Sequence, residues 1–377
     1  MRHLWINDIK DFQDIADKWD EAVMASGDFN PFLLSDFIIT WWKYYHNDSI
    51  LSIFVIYDDN KIAGGIPLFI KKESLAHGFA RVLRYIGADA ASYTDPLYAA
   101  SEVKILPLLI EALNKRKDWD ALHLTDVRAE NRLMTEYNDR PLNHKFIFCV
   151  LQDHMDWAVD LSAGKDDYIA TISKKLKKDL RAKRKHAIKD YGELRLVGIK
   201  GKEEVERYFD LYNKFSSQSF NSRYRRSTFE SPEYSAFFKE FLAIMDKKSR
   251  LDAHVLFAGE KVLAISFAYK FGKEFNWVLT GFNYEYKYVR PGYLLIEELI
   301  NEIDRRGQTY YNWYGHARFY KGQWCNRTTP LFQFFLVRPT SRGLYYETLK
   351  KTKSILKSNS VFMVLVNKTR RFIGKLR

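Results

Sequence analysis

The 377-residue chain reads as an α/β protein (α+β, mixed sheet) of two tandem domains. Three observations predict this. The length exceeds what one hydrophobic core usually serves. Segments of alternating apolar residues take turns with segments of helical periodicity, the order that builds layered α/β folds. The apolar hairpin DDNKIAGGIPLFI also has a counterpart, GEKVLAISFAY, at a comparable place in the second half, which reads as a duplication. The expected boundaries are 1–160 and 161–340 for the domains and 341–377 for a basic amphipathic C-terminal helix or tail.

The first half opens with a helix at about Ile9 to Ala25, then a Pro31-led aromatic helix carrying Trp41 and Trp42. In SILSIFVIYDDNKIAGGIPLFI two apolar strands flank Asp58, Asp59 and Asn60, a turn composition that favours a hairpin. After a loop near Gly87, a helix at about Val103 to Lys115 leads into the strand ALHLTDV. The second half has helices at about Ser173 to Tyr191 and Glu203 to Ser217, a stretch rich in Ser, Asn and Arg, and a helix from Tyr234 to Met245. Strands DAHVLFAG and KVLAISFAYKF then flank Gly259 and Glu260.

Composition narrows the class. Apolar residues make up 46% and aromatics 16%, ample for a packed interior and incompatible with wholesale disorder. Cys149 and Cys325 stand far apart without a CxxC or a nearby histidine set, so neither a disulfide framework nor a metal site is expected. The N-terminus is acidic from Asp8 onward and lacks the apolar core of a signal peptide, and the apolar run Val361 to Val366 is too short to cross a bilayer. A cytoplasmic location is expected. The net charge of +13 is uneven: residues 1–150 carry 17 basic and 22 acidic side chains, the remainder 43 and 25. Lys174 to Lys189 holds nine basic residues against Asp179, and Ser341 to Arg377 ten against Glu347. Anionic partners are implied.

Asn276 to Trp324 carries most of the chemistry. A strand, NWVLTGF, runs to Arg290-Pro291-Gly292, which opens an amphipathic helix; a second strand, TYYNWYG, follows. A helix that starts this way leaves its first N–H groups beyond the strand end, a natural phosphate seat. Arg290 adds a cation and Gly292 a backbone without Cβ. Neither GxGxxG nor GxxxxGK[ST] is present, so a dinucleotide fold or a P-loop is not expected.

This segment resembles the acyl-CoA-binding strand and helix of the GNAT superfamily. Gly315, Tyr320, Lys321 and Trp324 are similar to the G…YKxxW close of the CelD/BcsL-type acetyltransferases of cellulose biosynthesis, a branch related to the Fem peptidyltransferases. NPFLLSDFIITWW, the DDNKIAGGIPLFI hairpin and RVLRYIGADAASYTDPLY also match, so the resemblance runs from about Asn30 to Trp324. It implies two tandem GNAT-like domains, the second being the acyltransferase, with acyl-CoA as co-substrate and no metal. It also implies two parallel strands that splay between NWVLTGF and TYYNWYG, where a freed backbone N–H meets the thioester oxygen.

Acyl transfer to an amine needs a polarised carbonyl, a neutral amine within reach and a proton for the departing thiolate; a protein nucleophile is not required. By resemblance Tyr320 is the preferred proton donor or substrate clamp, with a packed aromatic as the equal alternative. Lys321 is the neighbouring catalytic candidate, binding an anionic substrate or stabilising developing negative charge, or is a solvated amine. His316 is a candidate base, needed because Asn312 stands where the family commonly has Asp; Glu285 and Glu297 are reserves. Arg290, Gly292 and Tyr293 form the expected cofactor corner. Trp277, Trp313 and Trp324 offer aromatic faces to a sugar or pack in the core. Arg223, Arg225 and Arg226 suit a phosphate or carboxylate clamp or a basic loop. Tyr93 and Asp95 match the family's substrate-facing loop, or form a turn before Pro96.

The reading favoured is an N-acyltransferase acting on a sugar nucleotide or a cell-envelope or polysaccharide precursor. Its partner is an anionic small molecule or envelope precursor, with a basic helix at Ser173 to Tyr191 drawing it in. The C-terminal tail rests on an anionic membrane surface or packs on the second domain. Two alternatives stay open: a Fem-like enzyme using aminoacyl-tRNA, and a non-catalytic membrane-surface or nucleic-acid binding protein.

Overall fold

The computed structural model describes residues 1–27, 30–76, 78–88, 93–139, 145–221, 231–271, 274–314 and 319–358. Among the described residues the chain divides into two compact units, Met1–His154 with Thr329–Ser358, and Met155–Thr328. The division therefore falls near 154 rather than 160, and the last strand joins the first unit rather than extending the second to 340.

The first unit holds β1 (Arg2–Ile6), α1 (Ile9–Asp14), α2 (Ala16–Ala25), α3 (Ser35–Tyr45), β2 (Ile50–Leu51), β3 (Ile53–Asp58), β4 (Lys61–Ile66), β5 (Leu68–Leu75), β6 (Gly78–Tyr85), β7 (Leu97–Tyr98), α4 (Ile105–Lys115), β8 (Ala121–Arg128) and α5 (Arg132–Asn138). β9 (Ile147–Asp160) carries the chain onward. In the second unit come α6 (Lys165–Thr171), α7 (Lys174–Tyr191), β10 (Leu194–Ile199), α8 (Lys202–Asn221), α9 (Pro232–Lys247), β11 (Leu251–Ala258), β12 (Lys261–Phe271), β13 (Glu274–Phe282), α10 (Pro291–Arg305), β14 (Tyr310–Asn312) and α11 (Lys321–Trp324). β15 (Arg327–Val337) and α12 (Ser341–Ser358) complete the first unit.

Local chemistry explains most boundaries. The expected first helix is broken at Ile15, whose ψ of 4° leaves the α region, giving α1 and α2. Asp59 takes φ 50° in the β3–β4 turn, the left-handed geometry that Asp tolerates. Pro67, which lacks an N–H, separates β4 from β5, and the chain changes sheets there. Ser173 caps α7 through its hydroxyl and the Leu176 amide at 3.2 Å.

The two units repeat one succession. In the first, β5 and β6 are antiparallel, α4 crosses over, β8 lies parallel to β6 with Val82 opposite Ala121, and β15 runs antiparallel on β8. In the second, β12 and β13 are antiparallel, α10 crosses over, β14 lies parallel to β13, and β9 runs antiparallel on β14. The duplication expected from the hairpins is thus a repeated topology. Each closing strand comes from a distant part of the sequence, which hid both from a local reading.

α10 is held by a stripe of Leu294, Leu295, Leu299, Ile300 and Ile303, all buried against the sheet. Each such side chain contributes roughly 1.5–3 kcal/mol on burial. In the first unit Tyr346 and Glu347 of α12 are buried, and Lys350 pairs with Glu73 at 2.9 Å. A Cβ at Gly343 would lie 2.9 Å from the Asp120 carbonyl, so the helix approaches as only glycine allows. The described part of the tail therefore packs on the first unit, not on the second; residues 359–377, including Val361 to Val366, lie outside the described residues. No helix among the described residues is long and apolar enough to cross a membrane.

Candidate active site

β13 and β14 pair over three residues only: Glu274 with Tyr310, Phe275 with Tyr311 and Asn276 with Asn312. Beyond this point they part. β13 continues to Phe282 along β12, and a bulge sets Val278 between the pairs Ala268–Trp277 and Phe267–Leu279. Such an extra residue bends a strand and ends regular pairing. β14 turns away instead: the Asn312 carboxamide oxygen accepts the Tyr314 amide at 3.0 Å, Tyr314 adopts φ 49°, and the Trp313 amide donates to the Trp157 carbonyl at 2.8 Å on β9.

The fork is lined by buried polar groups. The Tyr314 hydroxyl donates to Asn276 Oδ1 at 2.7 Å. Asn276 has no exposed surface, and its Nδ2 has no acceptor among the described residues. Sequence reasoning passed over Asn276 because an Asn inside an apolar strand gives no motif. Asn312, flagged earlier for the carboxylate it lacks, acts as the clasp of the turn.

At the start of α10, Arg290 sits in the left-handed region at φ 52° and supplies no side-chain cap. Its amide donates to the Lys287 carbonyl at 3.1 Å, and the Tyr293 amide donates back to the Arg290 carbonyl at 3.0 Å. Pro291 has no N–H. Gly292 is thus the first-turn amide left without a protein acceptor among the described residues, fewer donors than the sequence suggested. A Cβ at Gly292 would meet only Phe282 Cδ1 at 3.6 Å, so the space beside it is open. The Arg290 guanidinium lies 2.7 Å from Asp179 Oδ2 of α7 and 5.2 Å from the centre of the Tyr293 ring. Burial pushes the Tyr293 phenol above its usual range, and the neutral hydroxyl donates to Gln323 Oε1 at 2.7 Å.

The equivalent helix of the first unit is closed. The Glu136 carboxylate accepts the Leu106 amide at 2.7 Å and the Ile105 amide at 3.3 Å, taking the place an anion would fill.

The remaining predicted residues divide. Lys321 is buried, with its ammonium donating to the carbonyls of Trp313, at 3.1 Å, and Tyr314; it holds the turn after β14 and is not a solvated amine. Tyr320 is half-buried at the start of α11, its ring 5.8 Å from that of Trp313. Trp324 is buried at 2% exposure beneath Tyr293. Burial pushes the Cys325 thiol far up, which leaves it no thiolate for nucleophilic work. Glu297 is paired with Arg184 at 2.6 Å. In the first unit Asp95 is fully buried and holds Arg128, whose guanidinium lies 4.6 Å from the centre of the Tyr93 ring; both brace the end of β8. Beside them Asp126, at φ 57°, holds His154 Nε2 at 3.1 Å, a pair the sequence did not reveal. Trp277 lies on β13 with its ring outside the described residues, and His316, Arg223, Arg225 and Arg226 fall outside them altogether.

The strand pair thus forks beside a helix start that carries no side-chain cap. Residues 174–322 match the family model described as an acetyltransferase (GNAT) domain, and this stretch is a GNAT-type domain. The protein is an acyltransferase. Its fold is similar to that of FemX, at 9% identity and TM-score 0.58, covering 92% of this chain and 99% of that one. A conserved protein of unknown function from Bacteroides thetaiotaomicron aligns at 14% identity and TM-score 0.54, over 89% and 100% of the chains. The C-terminal domain of a putative lysylphosphatidylglycerol synthetase from Agrobacterium fabrum aligns at 12% and 0.53, over 90% and 96%. At these identities the likeness is one of fold. No curated protein matches the chain.

Proposed function

We propose that the protein is an N-acyltransferase that moves an acyl group from acyl-CoA to the amine of a sugar nucleotide or of a cell-envelope or polysaccharide precursor, as in the CelD/BcsL-type branch. The observation that carries this is the parting of β13 and β14 after Asn276 and Asn312, beside the one first-turn amide of α10 left over at Gly292. The residues present fit the co-substrate. The Gly292 amide and the helix start suit its diphosphate, and the wedge between the strands suits its extended arm. Asn276 Nδ2 supplies a preorganised donor at the fork, where negative charge develops on the carbonyl oxygen. Tyr320 is the candidate proton donor to the departing thiolate. Arg290 reaches the diphosphate by leaving Asp179.

An envelope acceptor is in keeping with the putative lysylphosphatidylglycerol synthetase whose domain shares the fold. The test is release of free CoA thiol by the purified protein across a panel of acyl-CoA donors and amino-sugar nucleotides. Release with at least one pair supports the reading, and silence across the panel removes it.

A further inference from the structure

The second unit has a recess between α6, α7, α10 and α11. Ile169, Ile172, Leu180, Ile300 and Trp324 give a volume of about 320 Å³ an apolar floor, with Asn301 and the paired Arg184 and Glu297 also on its wall. Its mouth opens into a basic groove of about 590 Å³ that shares Ile169, Lys177 and Arg181 with it and adds Lys174, Lys178 and Lys185. These five cations fall on one face of α7 and span about 16 Å at the helical rise. The acidic side chains near α7 are each paired with another cation, Asp179 with Arg290, and Glu297, which lines the recess, and Glu298 with Arg184. None of the five cations has a carboxylate partner among the described residues. The floor carries a second sign. Trp324 is only 2% exposed, and its indole N–H has no acceptor among the described residues. Buried donors of this kind almost always have one.

We propose that this recess binds a phosphate-headed amphiphile, with its apolar chain on the Ile169–Leu180–Ile300 floor and its phosphate against Lys177 and Arg181. An apolar cleft under an unneutralised cationic rim matches such a molecule at both ends. A bare anion would leave the floor unused, and an uncharged chain would leave the rim's charge uncompensated, since the Lys177 ammonium donates only to the neutral Ile169 carbonyl at 3.1 Å. A single-stranded nucleic acid needs aromatic faces along the groove, and the rim has none. The volume equals roughly ten water molecules, enough for one chain rather than a whole lipid. The unpartnered Trp324 N–H then has an acceptor in an ester or phosphate oxygen at the head of the chain.

The inference does not rest on acyl transfer, and its test is separate. Calorimetric titration with dodecyl phosphate below its micellar concentration should give binding at least tenfold tighter than either inorganic phosphate or dodecyl maltoside. The indole N–H resonance of Trp324, assigned through Trp324→Phe, should move in the same titration. A double substitution, Lys177→Glu with Arg181→Glu, places the change on the exposed rim and should weaken dodecyl phosphate at least tenfold. Saturating CoA should leave the binding unchanged. Co-sedimentation with vesicles containing phosphatidic acid, but not with pure phosphatidylcholine, would make the source a membrane lipid; monomer binding without co-sedimentation would make it a soluble amphiphile, and both retain the site. Equal affinity for inorganic phosphate or for dodecyl maltoside, displacement by CoA, or an unmoved Trp324 resonance would overturn it.

Discussion

Glu136 accepts the Leu106 amide at 2.7 Å and so occupies the start of α4, the helix that corresponds in topology to α10. One unit thus carries its own carboxylate where the other presents an open amide at Gly292. Under the proposed function a single acyl-CoA site per chain is expected. Glu136→Ala should cost about 1–2 kcal/mol in stability, the usual worth of a helix cap, measured by urea unfolding. Calorimetry of the parent protein with CoA should give a stoichiometry of one; a value of two would contradict the distinction drawn between the units.

Gly292→Ala separates packing from binding. The added Cβ meets only Phe282 at ordinary contact distance, and alanine favours the helix by up to ~1 kcal/mol. The variant should therefore be at least as stable as the parent. Its KM for acyl-CoA should rise roughly tenfold, about the worth of one hydrogen bond to a charged group. An unchanged KM would mean that no anion approaches this amide.

Asp179→Asn should act in the opposite sense. Releasing Arg290 from its partner at 2.7 Å should lower the KM for acyl-CoA a few-fold, whereas Arg290→Ala should raise it with little change in kcat. Parallel effects of the two substitutions would show that the ion pair itself, rather than the freed guanidinium, matters.

Lys321→Met removes the ammonium that serves the carbonyls of Trp313 and Tyr314. Two buried acceptors lose their donor, at about 1–3 kcal/mol each. Thermal unfolding should detect the loss, and activity should fall with it because Tyr314 braces Asn276. A variant of parent-like stability would show that the turn holds without the ammonium.

Buried histidines set the acid limit of stability. Burial, with Arg84 and Lys350 nearby, pushes His123 well down, and burial pushes His254 down too. An unfolded histidine takes a proton near pH 6.5 whereas these folded ones take it only at lower pH, so the unfolded state binds more protons as pH falls below that value. Stability should then fall as pH drops below about 6.5, above the range where carboxylates titrate. His123→Gln should flatten part of the slope. Equal stability on either side of that pH in the parent would refute the assignment.

What the sequence made legible was the part written in neighbouring residues. The Asp58–Asn60 turn and the Arg290-Pro291-Gly292 corner each announce themselves within a few positions, and so do β13, α10 and β14 between them. The missed features join residues far apart. Glu136 reaches an amide 30 positions away, and Asp179 meets Arg290 across 111 positions. β9 and β15 close units whose other strands lie far from them in the chain. The burial of Lys321 was not legible because it depends on the fold of the turn at Tyr314. The bulge at Val278 has no composition of its own.

The most direct test follows backbone amides by heteronuclear NMR while CoA is added to the protein. The Gly292 resonance should show the largest shift, and those of Ile105 and Leu106, held by Glu136, should stay in place. A still Gly292, or movement at Ile105 and Leu106 instead, would contradict the account.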